Sequence, residues 1–205
     1  MTVVLVRHGE TAFNRDGQGL GRADIPLTEV GIAQAEAVAQ RLSHEPVARV
    51  VSSPLLRAFV VADRIAQQHG LNAEPLAALR ELDVGRTEGM EFAEMRTKFP
   101  AFLASWAGDD GWRTRMPGGE SIQDLGDRLA PLAAELVSAE GSTTVVVSHN
   151  FALRALMCQL LGLPLERFRA FQLDLASVTI VTTRNGRMGV RTVNDTCHLS
   201  SLNLA

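Results

Sequence analysis

The stretch TVVLVRHGET, Thr2 to Thr11, sets a continuous apolar and β-branched run directly before an arginine and a histidine. Such a run, with neither helical nor alternating period, reads as a strand buried on both faces, the kind found inside parallel sheets. It ends on Arg7 and His8, two groups that are costly to bury. The carboxyl end of the strand must therefore face something that compensates them.

Outward from this strand the chain repeats one grammar. Thr28 is placed to N-cap a helix whose Ile32, Ala35, Val38, Ala39 and Leu42 share a face. ARVVSSP then predicts a strand around Arg49 to Val51, with Ser53 as N-cap and Pro54 at the first position of a helix burying Leu55, Phe59, Ala62 and Ile65. Alternation of strand and helix implies a parallel sheet. Further on, TTVVVS predicts another buried strand running into His149, followed by a helix to Leu161 that closes with Gly162 and Pro164. A helical pattern from Ser121 to about Ser138 is expected to kink or break near Pro131.

SVTIVTT and MGVRTV flank Asn185 and Gly186, the strongest short hairpin signal in the chain. The expected fold is thus α/β: a three-layer α/β/α sandwich whose mostly parallel central sheet gains an antiparallel edge hairpin, in a single domain over residues 1–205. About 90–121 departs from the alternation. A helical stretch is cut at Pro100, GDDG (Gly108 to Gly111) and MPGGES (Met116 to Ser121) follow, and the segment reads as a lid inserted over a site.

Composition narrows the function classes. The 205 residues, 46% hydrophobic, are enough for one sizeable core, and 20 Lys plus Arg against 23 Asp plus Glu leave a formal charge of −3. No global basic field points to nucleic acid or to an anionic membrane surface, so any anion site must be local. Cys158 and Cys197 suit reduced thiols in a cytoplasmic protein better than a disulfide framework, and no metal-ligand spacing stands out. Neither metal nor organic cofactor is expected.

In open α/β sheets ligands bind beyond the carboxyl ends of the strands. Arg7 and His8 follow the first strand, Arg57 lies one helical turn after the second, and His149 follows the strand at Thr143 to Val147. With helix N-termini at the same edge, this convergence describes a site for an oxyanion with several negative oxygens, most simply a phosphate. His44 and His69 sit near helix C-termini, where the dipole favours them, and read as structural.

LVRHGET, Asn14, DIPLT, SSPLLRA, RELDVGRTEG, PGGES and VVSHN, in this order over nearly the whole chain, resemble the histidine phosphatase superfamily in its phosphoglycerate-mutase-like branch. The resemblance implies that His8 is the nucleophile and that Arg7, Arg57 and His149 neutralise the phosphoryl oxygens. Asn14 is then a further donor, and Glu81 the proton donor to the leaving group. It also implies substrate contacts at Leu20, Gly21 and Asn150. Three positions depart from the family pattern: Val84, where phosphoserine-acting relatives carry histidine; Leu20, where many members place glutamine; and Thr87, where an aromatic residue is usual.

Arg113 and Arg115, beside Trp106 and Trp112 in the expected lid, are candidates for substrate contact, and His198 near the C-terminus is a candidate to fold back over the site. That mixture favours small phosphorylated acids or sugars as substrates. The expected activity is metal-independent hydrolysis of a small phosphorylated metabolite, by a chain that can form a homodimer. A phosphoglycerate mutase and a non-catalytic phosphate-ligand binding protein are the alternatives.

Overall fold

The computed structural model describes residues 1–139, 141–184, 187–200 and 202. The chain runs β1 (Thr2–Arg7), α1 (Ala12–Arg15), α2 (Glu29–Leu42), β2 (Val47–Ser52), α3 (Leu56–Gln68), β3 (Ala73–Pro75), α4 (Phe92–Lys98) and α5 (Pro100–Ala107). It continues through α6 (Ile122–Ser138), β4 (Thr143–Ser148), α7 (Asn150–Leu160), β5 (Val178–Arg184) and β6 (Arg187–Asp195). One six-stranded sheet has the order β3-β2-β4-β1-β5-β6. The first four of these strands pair in parallel, and β5 and β6 add antiparallel to β1 and to each other. The expected Asn185–Gly186 turn lies outside the described residues.

Burial on both faces explains the unbroken apolar runs. Along β1, Val3 and Leu5 enter one core with α6 and α7, while Val4 and Val6 enter the other with α2 and α3. Two helical layers thus flank the sheet, and both cores need side chains from the same strand.

Three local expectations are corrected. On α2, Ile32 is exposed, and the inward positions are taken by Gly31 and Gln34, whose Oε1 accepts from the Glu10 N–H at 2.8 Å. The helix is rotated to dock under the loop after β1. The helix at Ser53 starts later, at Leu56 with Leu55 as N-cap; Arg57 points inward and Phe59 is only half-buried. Helix α6 runs unbroken through Pro131, which sits on its exposed side. The proline lacks one N–H, but burial of Leu129, Leu132 and Leu136 holds the helix together on the opposite side.

Pro100, by contrast, starts a helix as N1 of α5, with Phe99 serving as C-cap of α4 and N-cap of α5.

Candidate active site

Parallel register builds the centre of the site. Arg7 pairs with Ser148, and Ser52 with Val147, so the next residues, His8, His149 and Ser53, leave three neighbouring strands at one edge. The His8 N–H donates to the Ser148 carbonyl at 3.1 Å and that of Ser53 to Val147 at 3.0 Å. The two imidazoles stand with ring centroids 5.1 Å apart.

Hydrogen bonds assign the tautomers. His8 Nδ1 lies 2.7 Å from the Gly9 carbonyl, which can only accept, so Nδ1 carries the proton and Nε2 keeps its lone pair. His149 Nε2 lies 2.8 Å from Ser53 Oγ. That oxygen also accepts from the Leu55 N–H at 3.3 Å, and we assign its own hydrogen to His149. Nδ1 of His149 is then the protonated nitrogen, a buried donor without a partner among the described residues. Burial first, and Arg57 next, hold both imidazoles well below 6.5, so both are neutral at physiological pH.

The guanidiniums donate to carbonyls rather than to carboxylates. Arg57, fully buried, donates to the Ala23 and Gly21 carbonyls, each at 2.7 Å. Arg7 donates to the Leu173 carbonyl at 2.6 Å, and burial pushes its pKa down to about 10, which leaves it charged. Neither is in an ion pair with a described residue, so their positive charge remains available to an anion.

Glu81 is buried behind them, at the N-terminus of α7. Its Oε1 accepts from the Leu82 N–H at 2.8 Å and the Ala152 N–H at 3.0 Å, and its Oε2 from the Phe151 N–H at 3.0 Å. Burial nevertheless raises its pKa above the usual carboxylate value, against these three bonds and Arg57. Arg128 fixes the Glu81 carbonyl at 2.8 Å and reaches Glu120.

The other candidates divide. Asn14 Oδ1 is occupied in a capping box with Thr11 at the start of α1, and the residue lines, with Arg7, a broad depression of about 790 Å3. Asp174, Thr196, Cys197 and Ser200 form the opposite wall of that depression. His198 does not line it. Its Nε2 lies 3.0 Å from the Ala176 carbonyl, and Ala176, at φ 56°, donates its N–H to the His8 carbonyl at 3.0 Å. The tail thus braces the His8 loop from behind. Asn150 is the first residue of α7, with Oδ1 buried and unpartnered among the described residues. Gly21 supports Arg57, and Leu20 lines a separate apolar cavity.

Arg113 and Arg115 are not brought to this cluster. Arg113 stacks on Trp112 and faces Asp110, Arg115 pairs with Asp124 at 2.6 Å, and both are well exposed. Three contributors are not among the expected site residues. Ser53 sets the His149 tautomer. Glu88 accepts from the Gly21, Arg22 and Ala23 N–H groups and so shapes the loop that holds Arg57. Arg154 is a half-buried cation on α7 that acts on Arg7 and Glu81.

Among the described residues, Asp195, Cys197 and His198 have potential metal-ligand atoms within 4.8 Å of one another. The group lies outside the phosphate-type cluster, and Asp195 Oδ1 already accepts from the Cys197 N–H at 3.0 Å.

Comparisons with known proteins define the family. The pattern of the histidine phosphatase superfamily (branch 1) matches residues 3–196. Phosphoserine phosphatase 1 of Hydrogenobacter thermophilus is 34% identical over 198 residues, covering 96% of this chain and 93% of that protein. A protein described as "Probable phosphoglycerate mutase" from Proteus mirabilis is 35% identical over 210 residues, covering 100% of this chain and 97% of its own length. The solved structure of a mycobacterial glucosyl-3-phosphoglycerate phosphatase superposes with a TM-score of 0.86 at 30% identity, covering 95% of this chain and 99% of that one. The chain belongs to the histidine phosphatase superfamily, branch 1.

Proposed function

We propose that the chain hydrolyses phosphate monoesters of small molecules through a phosphohistidine on His8, without a metal ion. The observation that carries this reading is the pair of guanidiniums without ion-pair partners among the described residues, Arg7 and Arg57, beside two neutral imidazoles whose centroids are 5.1 Å apart. An oxyanion with several charged oxygens fits that arrangement, and phosphoryl transfer asks little of a protein beyond positioning and charge stabilisation.

In the first half-reaction the Nε2 lone pair of His8 attacks phosphorus as the bond to the leaving oxygen breaks. The arginines and the His149 Nδ1–H take up charge on the remaining oxygens. Glu81, its pKa raised by burial, gives its proton to the departing alkoxide. In the second half, the Glu81 carboxylate takes a proton from water, whose oxygen attacks phosphorus. The N–P bond breaks, inorganic phosphate leaves, and His8 recovers its lone pair. Two free cysteines, one of them buried, suit a reducing compartment such as the cytoplasm.

The test is brief reaction with labelled p-nitrophenyl phosphate, then alkaline denaturation, which preserves a phosphohistidine. Label on His8, its loss in His8→Ala, and turnover that survives a chelator are expected. Label on a serine or aspartate, or undiminished turnover by His8→Ala, refutes the reading. Phosphate moved to a second small acid rather than to water would favour a mutase instead.

A further inference from the structure

Beside the phosphate cluster lies a half-open cavity of about 210 Å3 to which Leu20, Val84 and Thr87 all contribute. These are the three positions at which the chain departs from the pattern it otherwise resembles. Phe102, Trp106 and Met116 supply much of the remaining wall, and no charged side chain among the described residues lines it. The Thr87 hydroxyl is spent on the Val84 carbonyl at 2.8 Å. Phe92, on α4, reaches the cavity while 61% exposed, so an apolar ring stands at its rim.

Two contacts join this cavity to the site. Phe151 lines it, and the Phe151 N–H holds Glu81 Oε2 at 3.0 Å. Leu20 lines it, and the next residue, Gly21, accepts from Arg57 at 2.7 Å. A general acid must stand beside the leaving oxygen, and this cavity reaches Glu81 through the Phe151 backbone, which puts it on the leaving-group side of the site. A carboxylate or sugar hydroxyl placed there would lose its water and meet no charged partner among the described residues. The cations expected to greet such groups, Arg113 and Arg115, face Asp110 and Asp124 instead.

We propose that the cavity is an apolar leaving-group subsite, and that the preferred substrates are phosphate monoesters of alkyl or aryl alcohols rather than phosphorylated acids or sugars. A dry cavity of about 150 Å3 accommodates benzene, so this one has room for an aryl ring or a short alkyl chain. The proposal rests on the phosphatase reading, and its test separates the two.

Phosphate release is measured for ethyl, butyl, hexyl and phenyl phosphate against phosphoserine and 3-phosphoglycerate. In parallel, calorimetry compares binding of phenylphosphonate and phosphonoacetate, which cannot be hydrolysed. The specificity constant should rise about fourfold per methylene until the cavity is filled, the equivalent of about 0.8 kcal/mol. Phenylphosphonate should bind at least about tenfold tighter than phosphonoacetate, and the Leu20→Gln/Val84→His variant should cut both preferences by a similar factor. Equal binding of the two phosphonates, or a chain-length slope that survives in the variant, overturns the subsite. Absent phosphate release from every ester, with the phosphonate preference intact, overturns the phosphatase reading and leaves the subsite standing.

Discussion

Ser53→Ala removes a group that touches no substrate and should still cost rate. In the fold, Ser53 and His149 are both fully buried, and the hydroxyl donates to His149 Nε2 at 2.8 Å, which keeps the proton on Nδ1. Without it, Nε2 has no partner, and moving the proton to Nε2 turns a lone pair toward the phosphate oxygens. Leaving a buried polar atom unpaired costs about 1–3 kcal/mol. If that cost falls wholly on the transition state, the rate drops roughly 5- to 150-fold.

The assay is kcat/KM for p-nitrophenyl phosphate in Ser53→Ala, His149→Ala and the double variant, with a thermal melt of each to confirm folding. A positioning residue acts only through its partner, so Ser53→Ala should add less than about twofold in the His149→Ala background. A wild-type rate in the single variant, or a full additional loss in the double one, refutes the tautomer argument.

Glu81→Gln should lower kcat/KM for butyl phosphate at least about a hundredfold and for p-nitrophenyl phosphate far less, because a phenolate leaves without a proton. Equal losses on the two esters would remove Glu81 from the acid role. Burial holds His8 and His149 well below 6.5, so below that pH the unfolded chain binds more protons than the folded one, and the melting temperature should fall as pH drops. His149→Gln should flatten that decline; an unchanged slope in a pH series of melts counts against it. Glu81 has the opposite sign: its pKa is raised in the fold, so the stability it gives when protonated is lost as pH rises through that value, and kcat/KM should fall on the same limb. A kcat/KM profile flat on its alkaline side would refute this. Gly31→Ala would place a Cβ 2.1 Å from the Glu10 carbonyl oxygen, and should cost about 1–3 kcal/mol in denaturant unfolding while displacing the His8 loop. Unaltered stability and activity would show that α2 does not press on that loop.

What was legible in the sequence is what strand burial and strand ends dictate. The apolar runs at β1 and β4 admit one reading, and Arg7, His8 and His149 follow from where those runs stop. Side chains whose job depends on a distant partner were not legible. Ser53 carries the local signature of a helix cap, but the parallel register of β2 against β4 delivers it to His149, and the helix starts without it. Ile32 fits the helical period of its neighbours, yet the close approach of Gly31 to Glu10 turns that face away from the core. Arg113 and Arg115 look like substrate ligands beside their tryptophans until Asp110 and Asp124 are seen to hold them. The apolar cavity was hidden for the same reason, since Leu20, Val84 and Trp106 meet only in space.

The placement of β1 also bears on how the molecule is made. Thr2 pairs with Thr143 on one side and with Thr182 on the other, so β1 waits for partners that are made about 140 and about 180 residues later. At about 5–20 residues per second, that is roughly 7–28 s during which a sticky apolar segment has neither neighbour. No catalytic surface can assemble on the nascent chain in that interval, because the loop after β1 is braced by Ala176 and His198. The site thus closes only after the segment carrying Ala176 and His198 has been made.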